Sequence, residues 1–238
     1  MGTPKRFERT PAVVLAAYAH PDDADVACAG SLARWISEGA DVHLVLMAAG
    51  EKGTVDPAVE PAALGVTRRA EVATAAAVLG LTNVTHLDIP DGEVPEQTWL
   101  VGSLVEMIRR LKPDLVVGHD PTAVFFGSVY VNHRDHRAAG WALLDAVAPA
   151  ASLPHYFPEA GPAHRVNDVL LTGTLEPDTF VDISGHLDQK VEAVTSHASQ
   201  LPGDPEWVAR TIRQRSEDDG RGIGAAAAEG FRHLELDG

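Results

Sequence analysis

The chain lacks several features that mark common classes of protein. Its 238 residues include a single cysteine, Cys28, so no disulfide can form within the chain and we expect a reducing compartment. Only 19 basic residues face 34 acidic ones, and the net charge of -15 argues against a nucleic-acid or anionic-membrane surface, where Lys and Arg must neutralise phosphates. No apolar run approaches the roughly 18 residues of a membrane span, and no apolar signal core follows the N-terminus. We therefore expect a cytoplasmic protein.

Three common nucleotide-binding and catalytic motifs are also absent. No Gly-x-Gly-x-x-Gly sequence follows the first predicted strand, so the fingerprint of a dinucleotide site is missing. The chain has neither a phosphate-binding loop ending in Gly-Lys-Ser/Thr nor a Gly-x-Ser-x-Gly nucleophile elbow. Any chemistry must therefore come from another group of residues.

Apolar runs and helical patterns alternate through the first half of the chain. Residues 12–18 predict a buried strand, a helix follows at about 25–38, and residues 41–47 predict a second buried strand. Further strands are predicted at 84–87 and 114–118, with helices between them. This alternation predicts an α/β fold of the Rossmann-like kind, with a mostly parallel, doubly wound sheet and helices on both faces.

The second half of the chain is less regular. Residues 168–171 and 179–182 predict strands that extend the sheet, with antiparallel pairing as one arrangement. We predict a single domain over residues 1–238. Within it, residues 1–11 are expected to form a loose N-terminal arm, and residues 219–230, rich in Gly and Ala, a flexible loop.

A dense acidic cluster follows the first predicted strand directly, with the sequence AHPDDAD at residues 19–25. It places one imidazole and three carboxylates in the turn between a buried strand and a helix. In open α/β sheets, ligands bind outside the carboxyl ends of the strands. Packing a sheet does not require such a cluster, whereas a bound divalent cation would explain it.

A second group of metal-binding side chains, His133-x-x-His136, opens a later predicted helix. Both groups lie at the carboxyl edge of the predicted sheet, so they can converge. A catalytic zinc site usually takes three protein ligands and leaves one position for water. We predict His20, Asp23 and His136 as those ligands. Because adjacent side chains in an extended turn point in opposite directions, Asp22 would face the water and act as general base.

Each group also has an ordinary structural explanation. A His-x-x-Asp sequence after a strand is by itself more often a helix cap than a pair of ligands. His133 and His136 by themselves could lie on a helix surface, with Asp135 as a first-turn acid favoured by the helix dipole. The occurrence of both groups, each at the exit of a strand, favours a metal site.

The acidic cluster resembles the signature of the LmbE-like, or PIG-L, deacetylases, which use zinc to remove acetyl groups from N-acetylglucosaminyl and related amides. Other segments of the chain are also similar to this family, so the likeness spans nearly the whole sequence. They are GEKG at 50–53, Arg68-x-x-Glu71, His133-x-Asp135-His136-x-x-x-Gly140, the helix from Lys190 to Gln200, and AEGFR at 228–232. The combination is specific for the family and much less so for a substrate.

The resemblance implies the same three zinc ligands and the same general base. It also implies that His133 faces the developing oxyanion or protonates the leaving amine, and that Arg68, Asp91 and Glu51 contact the substrate. We expect Asp135 to hold the imidazole of His133 in one tautomer.

One position departs from the family pattern. Some relatives carry a tyrosine two residues before the first histidine of the second motif. This chain has Val131 there and Tyr130 one residue earlier, which leaves an oxyanion role for a tyrosine open.

We therefore predict a metal-dependent hydrolase that removes an acetyl group from an N-acetylglucosamine-type or related amide. Its expected substrate is a small N-acetylated sugar or glycoconjugate, and its cofactor is Zn2+ or another divalent ion. The oligomeric state stays open. Two alternatives are a metal amidase acting on a thiol conjugate or other small amide, and a metal- or carbohydrate-binding domain without turnover. Asp22, which zinc binding does not need, argues against the last.

Overall fold

The computed structural model describes residues 4–95, 98–201 and 203–236. The strands are β1 Lys5–Arg6, β2 Val13–Tyr18, β3 Asp41–Ala48, β4 Asn83–Ile89, β5 Leu115–His119, β6 Phe125–Phe126, β7 Tyr130–Val131, β8 Asp168–Thr172, β9 Thr179–Asp182 and β10 Ala228–Glu235. The α-helices are α1 Asp23–Ser37, α2 Pro61–Leu79, α3 Thr98–Leu111, α4 Arg134–Asp145, α5 Leu187–Thr195 and α6 Pro205–Arg221. No helix in these described ranges is long and apolar enough to cross a membrane.

Eight of the strands form one sheet, in the order β1-β9-β10-β8-β5-β2-β3-β4. The five strands from β8 to β4 in this order pair in parallel, as expected for strands joined by helical crossovers. β10 runs antiparallel to both β8 and β9. The prediction of a mostly parallel, doubly wound sheet in a single domain is confirmed. The chain leaves β2 towards β3 on one side and later returns to β5 on the other, so the gap between β2 and β5 is the topological switch point.

Both faces of the sheet are covered by helices, because successive side chains of a strand point to opposite faces. In β2, Val14, Ala16 and Tyr18 join one buried cluster, which α1, α2 and α5 complete. Leu15 and Ala17 join a second buried cluster, which α3 and α4 complete. Because both faces of β2 are buried, its apolar run is continuous. Burial on both faces also fixes the position of the acidic turn that follows the strand.

The N-terminal arm is not loose over its described part. Lys5 and Arg6 pair with Thr179 and Phe180 of β9. Phe7 is buried, and its ring meets that of Trp35 edge-on at 6.1 Å between centroids. The prediction for residues 1–11 is therefore wrong for this stretch, because one aromatic side chain anchors it to the core.

The prediction of a flexible loop at 219–230 is also wrong. α6 continues to Arg221 and β10 begins at Ala228, so only a short turn separates them. A Cβ added at Gly220 would lie 2.7 Å from the carbonyl oxygen of Ala225. The small residues of this segment therefore permit close packing of backbone rather than disorder.

Candidate active site

The predicted functional residues meet at the carboxyl edge of the sheet, at the switch point between β2 and β5. His20 follows β2, and α1 begins at Asp23. β5 ends at His119, and His133 is the residue before the first turn of α4. Two neighbouring parallel strands and the starts of two helices thus deliver the side chains to one place.

A glycine allows α4 to approach the end of β5 closely. A Cβ added at Gly140 would lie 2.6 Å from the carbonyl oxygen of His119 and 2.9 Å from Cδ of Pro121. His136 lies about one helical turn before Gly140, on the same side of α4. The close approach therefore brings the His136 imidazole next to the residues that follow β2.

The three predicted ligands converge. His20 Nδ1 lies 3.2 Å from His136 Nε2, and His136 Nε2 lies 3.1 Å from Asp23 Oδ1. The remaining separation, from His20 Nδ1 to Asp23 Oδ2, is 3.5 Å. Ligand atoms bound at about 2.0–2.2 Å to a tetrahedral ion are separated by about 3.3–3.6 Å. Asp23 enters these distances through both of its oxygens, so the three side chains meet around one point that a small cation can occupy.

Neighbouring groups orient both histidines of this trio. The Nδ1–H of His136 donates to Asn132 Oδ1 at 3.0 Å, and the Asn132 amide is itself fixed because its nitrogen donates to the carbonyl of Ala123 at 2.8 Å. On His20, Nε2 faces Asp91 Oδ1 at 3.2 Å. The lone pair of His136 Nε2 is thereby left for a metal, as in carboxylate–histidine–zinc arrangements, whereas His20 Nε2 makes no hydrogen bond to the described residues and only lies close to the carboxylates of Asp91 and Asp135.

The charges around this point also favour a cation. Burial alone would lower the pKa of His20, but Asp135, Asp23 and Asp91 outweigh it and raise the pKa to about 12. Burial would likewise raise the pKa of the Asp23 carboxyl, but His136 and His119 beside it hold that pKa well below its usual value. The carboxylates therefore stay ionised and stabilise positive charge here. A divalent ion fits this donor set in both spacing and charge.

Asp22 and Asp23 contact different partners, but their backbone differs from the one that the prediction assumed. The prediction placed the pair in an extended turn, whereas Asp22 has helical dihedral angles (φ -94°, ψ -9°) as the N-cap of α1. Its Oδ1 accepts a hydrogen bond from Arg68 Nη2 at 2.7 Å. Arg68 is buried and also donates through Nη1 to the carbonyl of Gly50 at 2.9 Å. The Asp22 carboxylate is therefore held at the rim of the cavity by a fixed guanidinium.

His133 presents a defined tautomer, although not through the group that we expected. Its Nδ1 accepts a hydrogen bond from the backbone N–H of Asp135 at 3.2 Å, so the proton of the neutral ring is on Nε2. The expectation that the Asp135 carboxylate holds this imidazole is wrong. That carboxylate accepts the N–H groups of Gly92 and Val94, at 2.7 and 3.3 Å, and lies 3.5 Å from His20 Nε2. Burial, followed by the nearby His20, lowers the pKa of His133 and favours its neutral form.

A family model described as PIG-L: GlcNAc-PI de-N-acetylase matches residues 15–147 of this chain. The match begins in β2 and ends just beyond α4, so it contains all three predicted ligands and Asp22. This chain belongs to the PIG-L family. The family resemblance drawn from the sequence is thereby confirmed.

Relatives within the PIG-L family have deacetylase names. The diacetylchitobiose deacetylase of Thermococcus kodakarensis is 33% identical over 226 residues, which cover 93% of this chain and 82% of the relative. The 1D-myo-inositol 2-acetamido-2-deoxy-alpha-D-glucopyranoside deacetylase 2 of Saccharopolyspora erythraea is also 33% identical, over 85% of this chain and 84% of the relative. A solved structure of N,N'-diacetylchitobiose deacetylase from Pyrococcus horikoshii, complexed with an inhibitor, has a TM-score of 0.85 at 28% identity, covering 94% of this chain and 84% of that one.

The residues assigned to substrate binding have different positions around this PIG-L site. Arg68 and Asp91 line a cavity of about 250 Å³ together with Asp22 and the predicted ligands. Glu51 is set back from it, because its Oε1 accepts the backbone N–H of Asp91 at 2.9 Å and its side chain lines a neighbouring cavity. Tyr130, in the hairpin formed by β6 and β7, is half-exposed and lines the same cavity as Asp22. Contacts between these residues and a substrate stay predictions.

Sequence reasoning missed two residues that contact the ligand trio. Asn132 orients His136, and His119 lies 3.2 Å from Asp23 Oδ2. His119 comes directly after a buried strand at the same edge as the acidic cluster, which is a signal that could have indicated it. His119 has no second metal-binding residue at a ligand spacing, and the Asn132 amide is not one of the usual zinc ligands, so ligand-spaced pairs indicate neither residue.

Proposed function

We propose that this protein is a zinc-dependent N-deacetylase that hydrolyses the acetamido group of an N-acetylglucosamine-type sugar. The observation that carries the proposal is the convergence of His20, Asp23 and His136 on one point, with Asp22 beside it. Membership of the PIG-L family and the names of the two sequence relatives support the reaction and the substrate class. The single buried cysteine is consistent with a cytoplasmic location for this enzyme.

His20, Asp23 and His136 would hold the metal. When bound, a zinc ion lowers the pKa of a coordinated water towards about 7 and polarises a carbonyl oxygen. Two histidines and one carboxylate also suit other divalent ions, so the choice of zinc is part of the proposal.

Asp22 is proposed to take the proton from the attacking water as the new C–O bond forms at the acetyl carbon. Arg68 holds Asp22 Oδ1, so the carboxylate keeps its position while its protonation changes. His133 Nε2–H donates to the carbonyl oxygen while negative charge develops there, a contact worth about 3–4 kcal/mol in comparable sites. Breaking the C–N bond then releases acetate and the free amine, which takes up the proton held by Asp22.

The test is a combined metal and activity assay on the purified full chain. We expect stoichiometric zinc and release of acetate from N,N'-diacetylchitobiose or N-acetylglucosamine, with loss of release after chelation and recovery on adding zinc. His136→Ala should lose both metal and activity, whereas His155→Ala, which changes an exposed histidine far from the ligands, should lose neither. Acetate release that is unaffected by chelation would contradict the proposal, as would zinc binding without turnover of any N-acetylated sugar.

A further inference from the structure

His119 occupies a buried position directly behind the proposed ligands. Its side chain is nearly inaccessible, with 6% of the residue exposed. Its ring stacks on that of His136, with 4.2 Å between centroids and 9° between the planes, and the ring of Tyr18 meets it edge-on at 4.9 Å. Its Nε2 lies 3.2 Å from Asp23 Oδ2. His119 thus contacts two of the three residues proposed to hold the metal.

The geometry distinguishes a ligand from a supporting residue. A metal binds an imidazole along the nitrogen lone pair, which lies in the plane of the ring. The rings of His119 and His136 are almost parallel and one above the other, so their in-plane lone pairs run side by side and do not meet at a common ion. His136 has the nitrogen aimed at His20 and Asp23. Although Asp23, His119 and His136 bring donor atoms close together, the parallel rings favour His119 as a supporting residue rather than as a ligand of the same ion.

The two oxygens of Asp23 have different partners. Oδ2 accepts the backbone N–H of His20 at 2.7 Å and also faces His119 Nε2, whereas Oδ1 faces His136 Nε2 at 3.1 Å. We infer that His119 is a positioning residue: its Nε2–H holds Asp23 Oδ2, so that Oδ1 alone is presented to the metal. This inference rests on the proposed function, because it assumes that Asp23 is a ligand.

One further contact makes this inference depend on a tautomer. The backbone N–H of Ala19 also points at His119 Nε2, at 3.3 Å. A neutral imidazole nitrogen either donates or accepts, so it serves Asp23 or Ala19 but not both. A lone pair on Nε2 would face a carboxylate oxygen at 3.2 Å, whereas a proton there would face the Ala19 N–H at 3.3 Å and cost that hydrogen bond; the full negative charge of the carboxylate makes the first contact the less favourable one. The proton is therefore assigned to Nε2.

Two substitutions separate the hydrogen bond of His119 from the packing of its ring. His119→Phe keeps a flat ring against His136 and removes the donor. His119→Gln places an amide N–H near the position of Nε2 and removes the stack. Zinc affinity would be measured by competition with a chelating dye, and the coordination of Asp23 would be followed in the absorption spectrum of Co2+-loaded protein. The tautomer in the unsubstituted protein would be read from 1H–15N correlations of the imidazole.

We expect His119→Phe to weaken zinc binding about 10- to 100-fold, the usual cost of losing a group that supports a ligand. Its Co2+ spectrum should shift as Asp23 changes its mode of binding, and His119→Gln should recover most of the affinity. KM should change little, because His119 is not among the described residues that line the cavity. In the unsubstituted protein, the proton should be on Nε2.

Wild-type affinity and spectrum in His119→Phe would overturn the inference, as would a proton found on Nδ1. Complete loss of metal in both variants would also overturn it and would make His119 a ligand. Better zinc binding by His119→Phe than by His119→Gln would assign the effect to the ring stack instead. If the unsubstituted protein itself bound no metal, the proposed function would fail, and that result differs from all of these.

Discussion

Two of the regions that bury charged side chains satisfy those charges in different ways. At the carboxyl edge of the sheet, Asp23, Asp91 and Asp135 surround His20, and the free donor atoms point to one place. In the last turn of α3, Arg109 is 2% exposed and donates to six backbone carbonyls at 2.7–3.2 Å. Those carbonyls belong to Ala150, Ala151, Leu153, Tyr156, Phe157 and Gly161.

The difference separates a site from a structural support. Arg109 has five N–H donors, and the surrounding carbonyls use all of them, so nothing further is needed to hold the segment 150–161 against α3. Around His20 the carboxylates and imidazoles bring their polar atoms towards one another. This arrangement needs positive charge among those atoms, which is supplied by the proton of His20, whose pKa is raised to about 12, or by a bound cation. We therefore expect substitutions in the first region to change metal binding or turnover, and those in the second to change stability.

The largest effect is expected from Asp22→Asn. The amide oxygen can still accept the Arg68 hydrogen bond, but the side chain can no longer take a proton, so kcat should fall about 10²- to 10⁴-fold. Zinc content and Tm should stay near those of the unsubstituted protein, because Asp22 is not a proposed ligand.

The control for this variant is Asp188→Asn, which makes the same change at a highly exposed carboxylate. It should leave kcat, metal content and Tm unchanged. Full turnover in Asp22→Asn with stoichiometric zinc would show that another group is the base. Loss of zinc would show that Asp22 belongs to the ligand set.

The next effect concerns stability alone. Arg109→Met keeps much of the side-chain volume but removes the hydrogen-bond donors of several backbone carbonyls. Each carbonyl left without a donor costs about 1–3 kcal/mol if it stays buried and less if water reaches it. We expect a loss of about 3 kcal/mol, or a decrease in Tm of roughly 6–12 °C for a chain of this size. Zinc affinity at 25 °C should not change. Thermal unfolding and dye competition measure the two quantities on one sample.

Arg110→Met is the matched control, because it makes the same change at the adjacent, exposed arginine. Its Tm should remain within about 1 °C of the unsubstituted protein, since exposed substitutions usually alter stability by less than 0.5 kcal/mol. A weaker zinc affinity in Arg109→Met would contradict the distinction between the two regions, because it would show that the segment 150–161 also supports the metal site.

The sequence was most informative where the chemistry is local. His20, Asp22 and Asp23 lie within four residues of one another after β2, and a parallel sheet brings its strand ends to one edge. Their meeting with His136 therefore followed from pattern and topology. His119 contributes a single side chain, and its role depends on stacking against His136, which is 17 residues further along the chain. A contact of this kind leaves no regular spacing in the sequence. The role given to Asp135 was wrong because a backbone N–H competes for the same nitrogen of His133.

The same limit applies to the fold. The parallel strands were predicted from largely apolar segments, of which β2 and β5 are the clearest, while β4 also carries several polar residues. The first three residues of β10, 228–230, were assigned to a flexible loop because the segment before them is rich in Gly and Ala. Gly230 is small for packing reasons, since a Cβ there would lie 2.9 Å from the ring of Phe180. Composition does not distinguish close packing from disorder, and only the neighbouring strand decides between them.

The smallest effect is expected from alanine substitutions of two glycines, one close to the metal site and one close to the segment held by Arg109. Both Gly140 in α4 and Gly102 in α3 are helical, so alanine gains about 1 kcal/mol of helix propensity at either position. At Gly140 the new methyl would meet the carbonyl oxygen of His119 at 2.6 Å, which is backbone and cannot turn aside. At Gly102 it would meet the ring of Phe157 at 2.9 Å, which can rotate.

We therefore expect Gly140→Ala to lose about 1–2 kcal/mol of stability and to weaken zinc binding several-fold, because α4 must move away from β5 and carry His136 with it. Gly102→Ala should stay within about 1 kcal/mol of the unsubstituted protein and should keep its zinc affinity. Denaturant unfolding and dye competition on both variants provide the test. Equal zinc affinities in the two variants would show that the site adjusts to a displaced α4, and that the convergence of its ligands does not depend on the contact at Gly140.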